Sequence, residues 1–248
     1  MNLEVIGSSS SGNGYVLHNR DEALIIEAGR PYNEVQKSLD FNTSKIVGCV
    51  VSHSHGDHSK YALKYIQRGV KVFASKHTIE AMGKVGLNTP AEIVSKRVYK
   101  IGNFKVVPFD VCHDVPTFGF HISHPEMGKL VFITDSAYSP YKFQGINHFI
   151  VEANYVTEIV QDMINQGKLP LWRLSRLQAS HMSLETCKDL LRANDLSACQ
   201  NIILIHLSDH NSDAKRIRNE IREEFCKPTT IAEPGLTISI NNYDYTTF

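Results

Sequence analysis

The chain has 248 residues and no net formal charge, because 26 basic residues balance 26 acidic ones. That balance excludes a global electrostatic attraction to nucleic acid or to a membrane surface, and no apolar run approaches the roughly 20 residues that span a bilayer. We expect one domain, residues 1–248, since no Pro- or Ser-rich linker divides the chain. The polar start of the chain and five scattered cysteines predict a cytoplasmic protein with reduced thiols.

Apolar patterns predict alternating strands and helices. In chain order, we expect strands at 3–6, 15–17 and 23–27, a helix at 31–39, a strand at 46–51, a helix at 60–67 capped by Ser59, a strand at 70–74, and a helix at 76–84 closing near Gly83 and Gly86. The second half predicts strands at 104–109, 117–123, 130–134 and 148–152, helices at 157–165 and 184–192, a strand at 202–205, a helix at 214–225 and a strand at 237–240. This order predicts two α/β halves packed sheet against sheet.

The most improbable stretch is Ser-His-Ser-His-Gly-Asp-His-Ser at residues 52–59, directly after an apolar strand. His53 and His55 are two residues apart, so an extended backbone points both to the same side, and a turn at Gly56 brings Asp57 and His58 towards a neighbouring point. Neutral imidazole and carboxylate bind Zn(II) at about 2.0–2.2 Å, and paired metal ions lie roughly 3.5–4 Å apart. A polar surface loop is the alternative interpretation, but four ligand-type residues after a buried strand favour a metal site.

The pattern His-x-His-x-Asp-His after an apolar strand resembles the signature of the metallo-β-lactamase superfamily. The resemblance implies an α/β fold of four layers, an αββα sandwich with two mixed β-sheets between outer helices. It also implies further ligands at later strand ends, where His113, Asp135 and His206 stand. Taken singly, each of these three residues is as easily explained as a polar residue that ends a strand.

The superfamily pattern then gives two ligand sets that share one carboxylate. The first metal would be held by His53, His55, His113 and Asp135, and the second by Asp57, His58, Asp135 and His206. Both ions are expected to be divalent, Zn(II) or Mn(II), because imidazole with carboxylate accepts either. Such ions lower the pKa of a bound water towards about 7, so the pattern predicts hydrolysis. Glu27 stands where the superfamily usually has Asp, in a position that supports a metal-bound histidine.

Later motifs favour a nuclease. His181 precedes a helix capped by Ser183, and its spacing to His206 resembles the paired motifs of tRNase Z-like enzymes, in which the earlier histidine donates a proton to the leaving oxygen. Phrases at residues 7–13, 133–136, 151–155 and 206–211 resemble the WalJ-type (YycJ) subfamily, described as DNA exonucleases; the segment between Gly167 and Arg176 departs from it. The resemblance implies Asp57, Asp135 and His181 as catalytic residues.

Substrate contacts are predicted in two regions. The Gly- and Ser-rich loop at residues 7–14, with Ser9, Ser10 and Asn13, can hold a phosphate through backbone N–H groups and hydroxyls, although a plain hairpin loop explains it equally well. Asn154 is predicted to contact the substrate as well. Before His181, cations and one aromatic residue are interleaved, which suits a nucleic-acid backbone and an ordinary solvated face equally well. These residues are Lys168, Trp172, Arg173 and Arg176.

We therefore predict a two-metal phosphodiesterase that acts on nucleic acid, DNA rather than RNA, with no membrane partner. Two alternatives stay open. One is a small-molecule hydrolase on the same site, such as a lactonase, thioesterase or cyclic-nucleotide phosphodiesterase, which predicts an apolar pocket at the metals. The other is a non-catalytic nucleic-acid-binding module whose metals only stabilise the fold.

Overall fold

A computed structural model describes residues 1–83 and 89–242. Within these ranges, strands form two seven-stranded sheets that α-helices cover on their outer faces. The strands are β1 (Asn2–Gly7), β2 (Gly14–His18), β3 (Ala23–Ile26), β4 (Ile46–Val50), β5 (Val72–Ala74), β6 (Ala91–Glu92), β7 (Tyr99–Ile101), β8 (Phe104–Val111), β9 (Thr117–His124), β10 (Gly128–Ile133), β11 (His148–Glu152), β12 (Asn201–Ile205), β13 (Thr229–Ile231) and β14 (Thr237–Ser239). The helices are α1 (Tyr32–Ser38), α2 (Gly56–Ser59), α3 (Ala62–Gln67), α4 (Lys76–Met82), α5 (Thr157–Asn165), α6 (Trp172–Ser180), α7 (Leu184–Arg192) and α8 (Ala214–Phe225).

Each sheet mixes parallel and antiparallel pairs. The first has the order β14-β1-β2-β3-β4-β5-β6, and the second has the order β13-β12-β11-β10-β9-β8-β7. Strands β3 to β6 are parallel to one another, as are β10 to β13, and the other neighbours are antiparallel. The order confirms the predicted sandwich of two mixed sheets between outer helices.

The continuous apolar runs of the central strands reflect burial on both faces. In β3, Leu24 and Ile26 pack into the core between the sheets, whereas Ala23 and Ile25 pack against the helices outside. The second sheet repeats this alternation with α7 and α8 on its outer face. Both faces therefore need apolar side chains, which explains why these strands read as uniform runs rather than as alternating polar and apolar residues.

Three predicted helices differ from the structure in their bounds, and the first of them, 31–39, is observed as α1, Tyr32–Ser38. Ser59 does not cap the helix that follows it, because its hydroxyl donates to the carbonyls of Ser54 and His55 and so closes the short helix α2. The next helix begins only at Ala62. The helix predicted at 76–84 is observed as α4, Lys76–Met82, capped by Ser75; the predicted end at Lys84 and Gly86 lies outside the described residues.

Several short elements are not predicted from the sequence, among them α6 and the strands β6, β7 and β13. Strands of two or three residues are too short for a periodic signal. Helix α6 follows Pro170 and presents only Leu174 and Leu177 to its neighbours as apolar contacts. That pair is too sparse to mark a helix by periodicity.

Candidate metal centre

The carboxyl ends of the central strands meet at one edge of the sandwich. β3 and β4 are parallel, β10, β11 and β12 are parallel, and β8 runs in the direction of β10 because both are antiparallel to β9. Residues that follow strands of one direction therefore share one edge. Those residues are Glu27 after β3, the 52–58 segment after β4, His113 after β8, Asp135 after β10, Glu152 at the end of β11, and His206 after β12.

The first donor set comprises His53, His55, His113 and Asp135, whose ligand atoms all lie within 4.8 Å of one another. His53 Nε2 lies 3.3 Å from Asp135 Oδ2, and His113 Nε2 lies 3.3 Å from His55 Nδ1. Nδ1 of His113 donates to the carbonyl of Ser180 at 2.8 Å, at the end of α6. That hydrogen bond fixes the tautomer, so Nε2 of His113 is left as the donor for a metal.

The second donor set comprises Asp57, His58, Asp135 and His206, again within 4.8 Å of one another. His58 Nε2 lies 2.7 Å from Asp135 Oδ2 and 3.3 Å from Asp57 Oδ2. His206 places Nδ1 at 2.8 Å from Asp135 Oδ1 and Nε2 at 3.4 Å from Asp57 Oδ2. Asp135 thus belongs to both sets and joins them.

Several buried atoms of the two donor sets lack hydrogen-bond partners within the described part of the chain. They are His53 Nε2, Asp135 Oδ1 and His206 Nε2; His58 Nδ1 also lacks a partner but faces Glu27 rather than the other donors. The carboxylate oxygens near these nitrogens are close without hydrogen-bond geometry. Unpaired buried polar atoms are costly, and a cation that accepts their lone pairs removes that cost. The residues therefore fit divalent metal ions.

The electrostatics of the centre favour bound positive charge. Burial alone would raise the pKa of Asp135, yet His206 and His58 hold that pKa well below its usual range. Burial opposes a charged His58, but Asp135 and Glu27 raise the pKa of His58 well above its ordinary value. His53 differs, because burial and repulsion from His58 lower its pKa to about 3 and keep it neutral. Ionised carboxylates among imidazoles thus demand positive charge, which metal ions supply.

A further cluster adjoins the two sets and contains a residue that sequence analysis missed. Glu152 is fully buried, with Oε1 at 2.7 Å from His181 Nδ1 and 3.1 Å from His206 Nδ1. Its Oε2 accepts N–H groups from Ser136 and Met182, which hold the carboxylate in place. The sequence offers only a weak signal for Glu152, namely an acidic residue at the end of an apolar run.

His181 stands at the open side of this cluster, with 23% of its side chain exposed. Burial lowers the pKa of a histidine, but Glu152 and Asp135 outweigh burial and raise the pKa of His181 to about 9. These carboxylates therefore favour the protonated form of His181. A protonated imidazole beside a metal centre can donate a proton to a leaving group.

Other predicted site residues lie around the ligands. Glu27 is fully buried, accepts the N–H of Ser52, and has Oε2 at 3.5 Å from His58 Nδ1. Asn13 Nδ2 lies 3.0 Å from His58 Nε2, and Asn154 Nδ2 donates to the carbonyl of His206 at 2.7 Å. Both asparagines are buried and contact candidate metal ligands. Their contact with substrate stays a prediction.

Three of these strand-end residues have left-handed backbones. The φ angles are 69° at Glu27, 43° at Asp135 and 54° at His206. Such conformations cost a non-glycine residue about 1–3 kcal/mol and are kept where the surrounding structure enforces them. Each of the three follows the last residue of a strand, and its side chain contacts the centre.

The predicted substrate residues outside the ligand sets lie on two sides of the centre. Ser9 is half-buried and Ser10 exposed in the loop between β1 and β2, whose Ser8 hydroxyl accepts the N–H of His206 at 3.0 Å. A cavity of about 440 Å³ adjoins this loop, lined by Ser8, Ser9, Ser208, Asp209 and Glu233 among others. On the other side, Arg173 and Arg176 lie on α6 and contact no ligand residue among those described.

None of the helices in the described ranges has the length and apolar content needed to cross a bilayer.

No family model matches the chain, but proteins of similar sequence are known. The chain is 26% identical over 243 residues to the exodeoxyribonuclease YycJ of Bacillus anthracis, which covers 90% of this chain and 88% of the relative. It is 24% identical over 225 residues to the exodeoxyribonuclease WalJ of Streptococcus pneumoniae serotype 2, covering 84% and 82%.

Solved structures share the fold. The metallo-β-lactamase fold protein YhfI of Bacillus subtilis superposes with a TM-score of 0.74 at 19% identity, over 96% of this chain and 98% of YhfI. The short form of human tRNase Z gives a TM-score of 0.66 at 14% identity, over 97% and 99%. This chain therefore has the metallo-β-lactamase fold, and its sequence is similar to those of the YycJ and WalJ exodeoxyribonucleases.

Proposed function

We propose that this metal-dependent hydrolase is a dinuclear phosphodiesterase that removes nucleotides from the ends of DNA. The observation that carries the proposal is the pair of donor sets joined by Asp135, with His181 beside them. The names of the sequence relatives support DNA as the substrate, while the tRNase Z neighbour shares only the fold.

The two donor sets would each hold one divalent ion, Zn(II) or Mn(II), since mixed imidazole and carboxylate donors accept both. When bound, such ions supply an activated water and neutralise the charge that develops on a phosphate. The protein's own part is to position and to transfer protons. Asp135 contacts histidines of both sets, so it holds the two halves of the centre at a fixed separation.

His181 is proposed as the general acid. Glu152 holds its Nδ1 at 2.7 Å, so Nε2 is the atom that presents a proton towards the substrate. The leaving oxygen of a phosphodiester is a poor leaving group unless it is protonated, and a positioned acid contributes about 10²–10⁴-fold. Glu152 acts through His181, because it fixes the ring and stabilises its charged form.

Contacts to the substrate are proposed at the residues predicted for them. Ser9 and Ser10 lie in a surface loop whose hydroxyls and backbone N–H groups suit a phosphate. Arg173 and Arg176 add positive charge on α6. Asn13 and Asn154 would contact the substrate next to His58 and His206, the candidate metal ligands to which they are hydrogen-bonded.

The test is digestion of end-labelled single- and double-stranded DNA and RNA by purified protein, with Zn(II), with Mn(II) and with a chelator. We expect stepwise shortening of DNA from one end, loss of activity with chelator, and loss in Asp57→Asn. Asp21→Asn, an exposed carboxylate elsewhere, is the matched control and should keep full activity.

The alternatives give different outcomes in the same assay. Hydrolysis of lactones, thioesters or cyclic nucleotides without digestion of any polynucleotide would replace the proposal by a small-molecule hydrolase. DNA binding without hydrolysis of any substrate, at full metal loading, would indicate a binding module with structural metals.

A further inference from the structure

Helix α6 presents an exposed face that combines an aromatic ring with a cation. Trp172, Arg176 and Ala179 are four and three residues apart, so they lie on one side of the helix, and all three are exposed. Trp172 is 59% exposed and the preceding Leu171 is 70% exposed. We call this side, Trp172 with Arg176 and Ala179, the α6 face. Trp172 and Leu171 together expose adjacent apolar surface, and contiguous exposed apolar surface can mark an interaction site.

The cations around the α6 face are not neutralised by the protein. Lys168, Arg173 and Arg176 form no ion pair with any residue in the described ranges, and Nε of Arg173 is buried without a hydrogen-bond partner. Helix α6 itself carries no acidic residue. The basic residues of helices α7 and α8 differ, since Arg192 bonds Glu224 and Arg216 bonds Glu220. The unpaired charge of α6 therefore remains available for an anion.

Helix α6 ends at the metal centre. Its last residue, Ser180, accepts the Nδ1 hydrogen of His113 through its carbonyl, and the next residue is His181. A helix rises about 1.5 Å per residue, so Arg176 lies roughly 7–8 Å and Trp172 roughly 13–14 Å from His181 along the axis. These are distances that a short run of nucleotides covers beyond the phosphate being cleaved.

The helix is anchored, so its face has a defined direction. Residues of α5 and α6 pack together in a small apolar cluster that includes Tyr155, Val160 and Leu177. Leu174 and Leu177 turn inward on that cluster, which leaves the α6 face towards solvent. The pairing of an inward apolar face with an outward aromatic and basic face suits a ligand that is both anionic and aromatic.

We propose that the α6 face binds the single-stranded segment adjoining the cleaved phosphodiester, with Trp172 stacking on an unpaired base and Arg176 contacting a phosphate. This inference rests on the proposed function, and it adds the strandedness of the substrate. Stacking on an aromatic residue needs the open face of a base, which a paired strand does not offer along its length. Cations that contact phosphates without reading bases give affinity that depends on salt.

The test compares Trp172→Ala and Arg176→Ala with matched controls. Phe41→Ala removes another exposed aromatic residue, and Arg218→Ala removes an exposed arginine of α8 that has no ion pair among described residues. Each protein, loaded with metal, is assayed for KM on a single-stranded oligonucleotide with and without a complementary strand. Hydrolysis of bis(p-nitrophenyl) phosphate is measured in parallel, because this small diester cannot reach α6.

We expect Trp172→Ala to raise KM for the single strand roughly five- to a hundredfold, and Trp172→Phe to restore most of that loss. Arg176→Ala should reduce the slope of log affinity against log salt by about 0.7, the value for one lost phosphate contact on a single strand, whereas Trp172→Ala should leave that slope unchanged. Phe41→Ala and Arg218→Ala should match the parent protein on the oligonucleotide and on the small diester.

Equal KM values for Trp172→Ala and Phe41→Ala would overturn the inference. So would equal losses on single and double strands, or a change in sedimentation of Trp172→Ala without a change in KM, which would assign the face to self-association. If the parent protein cleaves the small diester but no DNA, the proposed function fails instead, so the two failures are distinguishable.

Discussion

Substitution of Gly29 by alanine tests whether the ligand segment is held by close backbone contact. A methyl group at Gly29 would lie 2.5 Å from the carbonyl carbon of Asp57, closer still to the carbonyl oxygen, and 2.7 Å from the N atom of Asn13, whereas such contacts stay above 3.0 Å. The obstacle is backbone on both sides. The N–H of Asn13 donates to the Asp57 carbonyl at 2.7 Å, and the N–H of Ala28 donates to the His58 carbonyl at 2.8 Å.

The methyl group therefore forces Asp57 and its neighbours to retreat, by a distance on the order of 1 Å. A displacement of that size in a catalytic group can cost about a hundredfold in rate. We expect Gly29→Ala to bind less metal and to lose at least that factor in activity. Gly56→Ala, in the same segment, is the matched control because nothing lies within 4 Å of the added methyl group.

The assays are metal content after desalting, measured by mass spectrometry, and the rate of DNA digestion, with circular dichroism to confirm folding. A Gly29→Ala protein that retains parental metal content and activity would refute the argument from close contact. Equal losses of activity in Gly29→Ala and Gly56→Ala would show that the segment is sensitive to any added methyl group, and that close backbone contact is not the cause.

Three further predictions follow from charge and protonation. His181→Ala should slow DNA cleavage about 10²–10⁴-fold but leave bis(p-nitrophenyl) phosphate almost unaffected, since p-nitrophenolate leaves without protonation; equal losses would argue against an acid. Removal of metal by chelation should lower the melting temperature, because the buried carboxylate of Asp135 loses its compensating charge; an unchanged melting curve would contradict the proposed ligands. Burial lowers the pKa of His148 from 6.5 to about 4. In the folded protein, its Nε2 donates to the carbonyl of Met127 and its Nδ1 accepts from Asn201. As the pH falls, the unfolded chain therefore binds the proton before the folded protein does. The stability that depends on neutral His148 is thus complete above pH 6.5 and falls by about 2 kcal/mol by pH 5; urea titrations should show a smaller loss in His148→Gln, and equal losses would refute the assignment.

Much of the sandwich follows from sequence because its strands carry strong apolar signals that end in polar residues. The helices 157–165, 184–192 and 214–225 were predicted with the bounds that the structure gives, since their apolar residues recur at helical spacing. Capping by Ser183 was also predicted correctly, because its side chain accepts the N–H of Thr186. Local signals of this kind do not depend on the rest of the fold.

The centre could be predicted only in part. His53, His55, Asp57 and His58 are adjacent in sequence, so one motif identifies them. The convergence of the later residues depends on which strands are parallel, and that is a property of sheet order rather than of any short segment. Glu152 shows the limit, since one acidic residue at a strand end has no distinctive local signature, and its contact with His181 spans 29 residues.

The left-handed backbones at Glu27, Asp135 and His206 lower the stability of the fold, while the side chains of these residues contact the centre. Glycine at any of these positions would relieve strain of about 1–3 kcal/mol and remove a side chain that contacts the centre. Selection for thermal stability alone would therefore favour inactive descendants at these positions, whereas selection for activity keeps the strained residues. A lineage that lost its substrate could relax at these strand ends and persist as a stable, metal-free member of the same fold.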